Sequence, residues 1–121
     1  MGYRSEVGIL VTLPNNVSGN EIIAKFKNAF GKYFDECFEI DNEESIKGLV
    51  YIHTKICLKW YEGCEGYEDV TNTMRLIRSW EDDYKDGGIS YLRIGEDLED
   101  TEEEYYGEPE RYLCCERSIS W

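Results

Sequence analysis

Histidine occurs once and proline twice in 121 residues, and the five cysteines include no Cys-x-x-Cys pair. An odd cysteine count without a regular framework points to buried thiols in a reducing compartment rather than to disulfides. The vicinal Cys114 and Cys115 would face opposite sides of a strand, so they do not suit one zinc ion. His53 shares a strand face with Cys57, but four residues of strand are about 13 Å, too long for a Cys-His dyad. Contact of His53 with Cys37 or Cys64 across the fold stays open. Basic residues are also scarce: thirteen Lys plus Arg stand against twenty-six Asp plus Glu, a formal charge of -13. That balance argues against a binder of nucleic acid or anionic membrane, and its natural complement is a basic protein surface.

Long apolar runs are missing too. None approaches the roughly 18 residues that cross a bilayer. The run from Val7 to Leu13 is broken by Gly8 and Thr12 and has no basic leader, so the expectation is a cytoplasmic protein without a secretory signal. No Gly-rich phosphate loop, nucleophile elbow or His-Glu-x-x-His helix occurs. Asp82 to Gly87 opens like a calcium loop, but Tyr84 and Arg93 fall where ligands are required. No catalytic residue, cofactor or metal ligand is assigned on these grounds. With 41% hydrophobic and 14% aromatic residues, the chain should nevertheless fold, as one domain over 1–121.

Val7, Ile9, Val11 and Leu13 alternate in a first strand that Pro14-Asn15-Asn16 stops. Ser18 and Glu21 form a capping box, and Ile22, Phe26, Ala29, Phe30, Tyr33, Phe34 and Cys37 follow at helical spacing. Phe38 and Ile40 suggest a short second strand, and Asn42 to Gly48 a connection. Alternation from Val50 to Trp60 predicts a long third strand with one wetter face. Asp69 or Thr71 would cap a second helix carrying Val70, Met74, Ile77, Trp80 and Tyr84, ended by Asp86-Gly87-Gly88. Ile89 to Ile94 makes a fourth strand and Tyr112 to Trp121 a fifth. The fold expected is α+β: a two-layer sandwich, with two helices on one face of a mainly antiparallel sheet of about five strands. Its order is a ferredoxin-like β-α-β-β-α-β plus a C-terminal strand.

The acid-rich segment 96–110 is the most unusual feature, with nine carboxylates and no Lys or Arg in fifteen residues. If Leu98 to Tyr106 is helical, Glu99, Asp100, Glu103 and Glu104 project outward about 5 to 6 Å apart, near the spacing of phosphates. Ten tyrosines exceed what the core absorbs, and tyrosine among carboxylates resembles a protein-binding surface. The candidate partner-binding residues are Glu96, Asp97, Glu99, Asp100, Glu102, Glu103, Glu104, Tyr105, Tyr106 and Glu108. A solvated loop that aids solubility is the plain alternative.

Three blocks, Gly2-Tyr3-Arg4-Ser5-Glu6-Val7, Lys59-Trp60-Tyr61-Glu62-Gly63 and Arg93-Ile94-Gly95-Glu96-Asp97-Leu98-Glu99-Asp100, resemble a family of small acidic proteins of bacteriophages and prophages. The resemblance carries over no catalytic or binding residue. It implies a context, since such phage proteins are often inhibitors of host defence, anti-CRISPR proteins among them, that occupy a nucleic-acid channel or a subunit interface. The expected function is a non-enzymatic, phage-encoded inhibitor of a host defence or nucleic-acid-processing protein. Its partner would be a basic protein surface, met by an acidic surface that imitates DNA. A small carboxylate-dependent enzyme, a divalent-cation-binding protein and a self-associating structural factor are the alternatives.

Overall fold

The computed structural model describes residues 4–42, 48–55, 57–96, 100–109, 113–115 and 119–120. The expected connection 42–48 is therefore described only at its ends. Along the chain run β1 (Glu6–Thr12), α1 (Gly19–Phe30), α2 (Phe34–Cys37), β2 (Phe38–Asn42), β3 (Leu49–Thr54), α3 (Glu68–Arg78), α4 (Trp80–Asp83), β4 (Gly88–Ile94), β5 (Thr101–Gly107), β6 (Cys114–Cys115) and β7 (Ile119–Ser120). The protein is α+β, with an open five-stranded sheet of order β2-β3-β1-β4-β5 in which every neighbouring pair is antiparallel.

Alternation along each strand divides the apolar residues between the two faces of this sheet. Val7, Ile9 and Val11 of β1, Val50 and Ile52 of β3, and Ile89 and Tyr91 of β4 share one buried cluster with Ile22, Phe26 and Phe30 of α1 and Val70, Met74 and Ile77 of α3. The register puts Leu10, Leu49, Leu92 and Ile94 on the opposite face, where they bury Leu113. The Leu113 N–H donates to Ser90 Oγ at 3.1 Å, tying the C-terminal segment to β4. Cover on both sides explains why every residue of β4 is buried.

Helix α1 starts at the expected Ser18: Ser18 is the N-cap, and its hydroxyl accepts from Glu21 N at 3.2 Å. It ends earlier than its apolar stripe. Gly31 takes φ 105°, and its N–H closes on Lys27 O at 2.8 Å, so the stripe resumes in α2 at a new angle. The change brings Phe34 and Phe38 into stacked contact at 5.1 Å, with Phe30 edge-on to Phe38 at 5.0 Å. Trp60 joins them, 6.4 Å from Phe30. Such ring pairs each contribute about 0.5 to 1.5 kcal/mol beyond burial.

Four expectations are corrected. The third strand stops at Thr54, where Thr54 Oγ1 takes the Val7 N–H at 3.2 Å and Lys55 N turns to Cys37 O at 2.8 Å. Ser5 then bridges Leu58, two residues beyond the register of β3, and Trp60 turns into the core. Neither Asp69 nor Thr71 is an N-cap. Helix α3 begins after Tyr67 without a side-chain cap, and the Thr71 hydroxyl accepts from Gly63 N at 2.8 Å. The fifth strand of the sheet is Thr101–Gly107, while the C-terminal segment pairs with itself as β6 and β7. The acid-rich segment is accordingly a strand over Thr101–Gly107 and not a helix there.

Candidate functional site

Strand β5 reads Thr-Glu-Glu-Glu-Tyr-Tyr-Gly and, among the described residues, pairs with β4 alone. Its alternation sorts the acid-rich segment. Glu102, Glu104 and Tyr106 lie opposite Arg93, Tyr91 and Ile89, on the face of the larger core cluster; Thr101, Glu103 and Tyr105 lie on the other face.

Two arginines hold the first set. Arg93 is the one charged residue of the fully buried strand β4 and is itself only 8% exposed. Such a charge requires counter-ions. Its guanidinium meets Asp100 at 2.7 and 3.2 Å, Glu102 at 2.7 and 2.9 Å, and Ser5 Oγ at 2.9 Å. Burial pulls its pKa down, but hydrogen bonds to Asp100 and Glu102 outweigh burial and leave it above the ordinary value. Arg78, near the end of α3, grips Glu104 at 2.8 and 2.9 Å and Glu62 on its other side. Tyr106 adds a hydroxyl donated to Glu104 at 2.5 Å. Arg78 and, after it, the Tyr106 hydroxyl hold the Glu104 carboxyl below its ordinary pKa, against the upward pull of burial.

The second set is freer. Glu103 is exposed and accepts from the Tyr105 hydroxyl at 2.8 Å, and the Tyr105 ring is 42% exposed. Glu108 is exposed, with its backbone N–H on Gly87 O at 2.8 Å. Glu96 is exposed and accepts from Arg4 N at 3.1 Å. Asp97 and Glu99 lie outside the described residues. The structure thus gathers Asp100, Glu102, Glu104 and Tyr106 around two guanidinium groups, while Glu103 and Tyr105 occupy the opposite face.

Sequence reasoning did not single out Arg78, Arg93 or Glu62. The signal for Arg93 was present, because an arginine between the apolar residues Leu92 and Ile94 needs carboxylate partners nearby in space. For Arg78 and Glu62 no local signal exists, since their contact joins a helix to a loop sixteen residues away.

His53 finds carboxylates rather than thiols. Its Nε2 meets Glu6 Oε2 at 2.6 Å, its Nδ1 lies 3.7 Å from Glu39 Oε1, and Tyr51 lies against its ring at 5.5 Å. The imidazole therefore links β1, β3 and β2 on the side of the sheet that carries Leu10. Among the described residues no group of three or more His, Cys, Asp or Glu is placed to hold a metal ion, and no helix is long and apolar enough to cross a membrane.

The first and third of the three sequence blocks meet in space: Arg93 reaches Ser5, and Glu96 accepts from Arg4. The second follows directly on Leu58, the bridge partner of Ser5. In comparisons with known proteins, no family model, no curated protein and no solved structure matches the chain.

Proposed function

We propose that the chain is a non-enzymatic protein-binding module, a phage-encoded inhibitor that docks on the basic surface of a host defence or nucleic-acid-processing protein in the host cytoplasm. The observation carrying this reading is the edge strand β5, in which three successive glutamates and a half-exposed tyrosine lie on a rigid sheet. Same-face residues of a strand are about 7 Å apart, of the order of the distance between successive phosphates. Arg93 fixes Asp100 and Glu102 in place without covering them, at side-chain exposures of 36% and 51%, whereas Glu104 under Arg78 keeps 19%. A carboxylate offers about four lone-pair sites, so each retains acceptor capacity for a partner's Arg or Lys. Preorganised acceptors lower the entropic cost of binding.

We also infer that the fold is a two-layer, ferredoxin-like sandwich. The chain order β1-α1-β2-β3-α3-β4 with sheet order β2-β3-β1-β4 supports this, as does the single cluster shared by α1, α3 and one sheet face. On this view β5 extends the sheet beyond β4, at the edge.

Affinity capture from bacterial lysate with the triple variant Glu96→Lys, Glu103→Lys, Glu108→Lys tests the function. These positions leave both arginine clusters intact. A nucleic-acid-binding protein retained by the parent chain, released by salt or added DNA, and lost with the variant is the expected result. Equal retention by the folded variant, or no such partner, overturns the reading.

A further inference from the structure

We infer that β5 receives its partner by strand addition, and that the occupant is an extended, cationic segment of another protein hydrogen-bonded along the outer edge from Thr101 through Glu103. This deepens the protein-binding reading above and rests on it.

The direction of the backbone groups follows from two bonds. Gly95 N donates to Asp100 O and Glu108 N donates to Gly87 O, each at 2.8 Å, so Asp100 and Glu108 turn their peptide groups toward β4. Antiparallel alternation gives Glu102, Glu104 and Tyr106 the same direction and turns 101, 103, 105 and 107 outward. Gly107 bears this out, because its N–H takes Glu81 Oε1 at 3.1 Å rather than a strand partner. That contact and α4 close the edge at its Gly107 end. At the other end, Thr101 and Glu103 each present one N–H and one C=O away from β4, and among the described residues no strand pairs with them.

Charge selects the occupant. A second copy of β5 would set Glu102, Glu103 and Glu104 against their like, and like charges on opposed strands repel. The edge is thereby closed to self-pairing. An incoming strand with Lys or Arg at alternate positions carries its cations on one face, beside Glu103 in one register and beside the exposed side of Glu102 in the other. Main-chain bonds then supply affinity and the alternating cations supply selection, the division of labour seen in strand addition generally.

The test uses an octapeptide of alternating Lys and Val as probe, followed on the full chain by backbone-amide NMR. The expected result is protection from exchange of the Thr101 and Glu103 amides on binding, with a loss of affinity of at least tenfold when the outward-bonding peptide nitrogens are methylated. A Glu-Val octapeptide should not bind. The Thr101→Pro variant removes one outward N–H at the first position of the edge strand, where proline is tolerated, and leaves every carboxylate in place. It should bind at least tenfold more weakly while its inward amides stay protected. Equal affinity of the methylated probe, or unprotected Thr101 and Glu103 amides in a bound state, overturns strand addition and leaves the acidic surface standing. Absence of binding by the Lys-Val probe while the lysate partner is still captured also overturns it, and failure of both assays removes the two readings together.

Discussion

Gly107 and Gly87 meet backbone to backbone. A Cβ on Gly107 would sit 2.5 Å from the Gly87 carbonyl oxygen, and both residues hold left-handed φ values, 69° and 70°. The same oxygen accepts the Glu108 N–H, so the crossing locks the end of β5 onto the turn before β4. Gly107→Ala should therefore combine left-handed strain with a backbone clash, a loss of about 2 to 4 kcal/mol. Gly63→Ala, at φ 79° with open space around it, should lose only about 1 to 2 kcal/mol. Urea unfolding midpoints of the two variants check the contrast, and equal losses would show that no clash operates.

Arg93 is the nearly buried charge on which Asp100, Glu102 and Ser5 converge. Arg93→Met keeps the volume and loses the fork of donors, and should lower stability by about 2 kcal/mol. Arg93→Lys should recover only part of that, since an ammonium cannot bond two carboxylates in a planar fork. Equilibrium denaturation checks the order, parent above lysine above methionine.

Acid should weaken the β5 attachment through Glu104. Its folded pKa is depressed by Arg78, so the stabilisation is fully present above the ordinary glutamate value and is lost as pH falls through the lower, folded one. Stability measured from pH 7 downward should begin to drop near pH 4 to 5. Glu104→Gln should be less stable at pH 7 and should show a shallower fall below pH 5. Parallel curves for the two proteins would contradict the assignment.

Thiol reactivity should separate the described cysteines whose exposure differs. Cys57 and Cys64 are exposed, whereas Cys37 is partly covered and its thiol is pushed up first by burial and then by the Glu36 charge. Only the thiolate reacts. Brief alkylation at neutral pH followed by peptide mass mapping should label Cys57 and Cys64 well before Cys37.

Local pattern carried much of the architecture. The alternation in 7–11, the Ser18 cap and the 3.6-residue spacing of Ile22, Phe26 and Phe30 each depend on neighbours within one or two turns, and all three appear where expected. The acid-rich stretch was different. Its residues have no apolar periodicity, and 102–104 become a strand because β4 offers a free edge with Arg93 for Glu102 while α3 supplies Arg78 for Glu104. In the same way, nothing near Trp60 marks the shift of pairing after Thr54, which depends on Ser5 meeting Leu58.

From the sequence alone came the α+β class, the surplus of acid in 96–110 and the scarcity of histidine, because these rest on composition and short-range periodicity. Tertiary structure decided which carboxylates are tied to arginine, which backbone groups of β5 point away from the sheet, and that His53 sits between Glu6 and Glu39. Those are relations between residues far apart in the chain, such as Ser5 with Arg93, and only the closing of the sheet brings them within hydrogen-bonding distance.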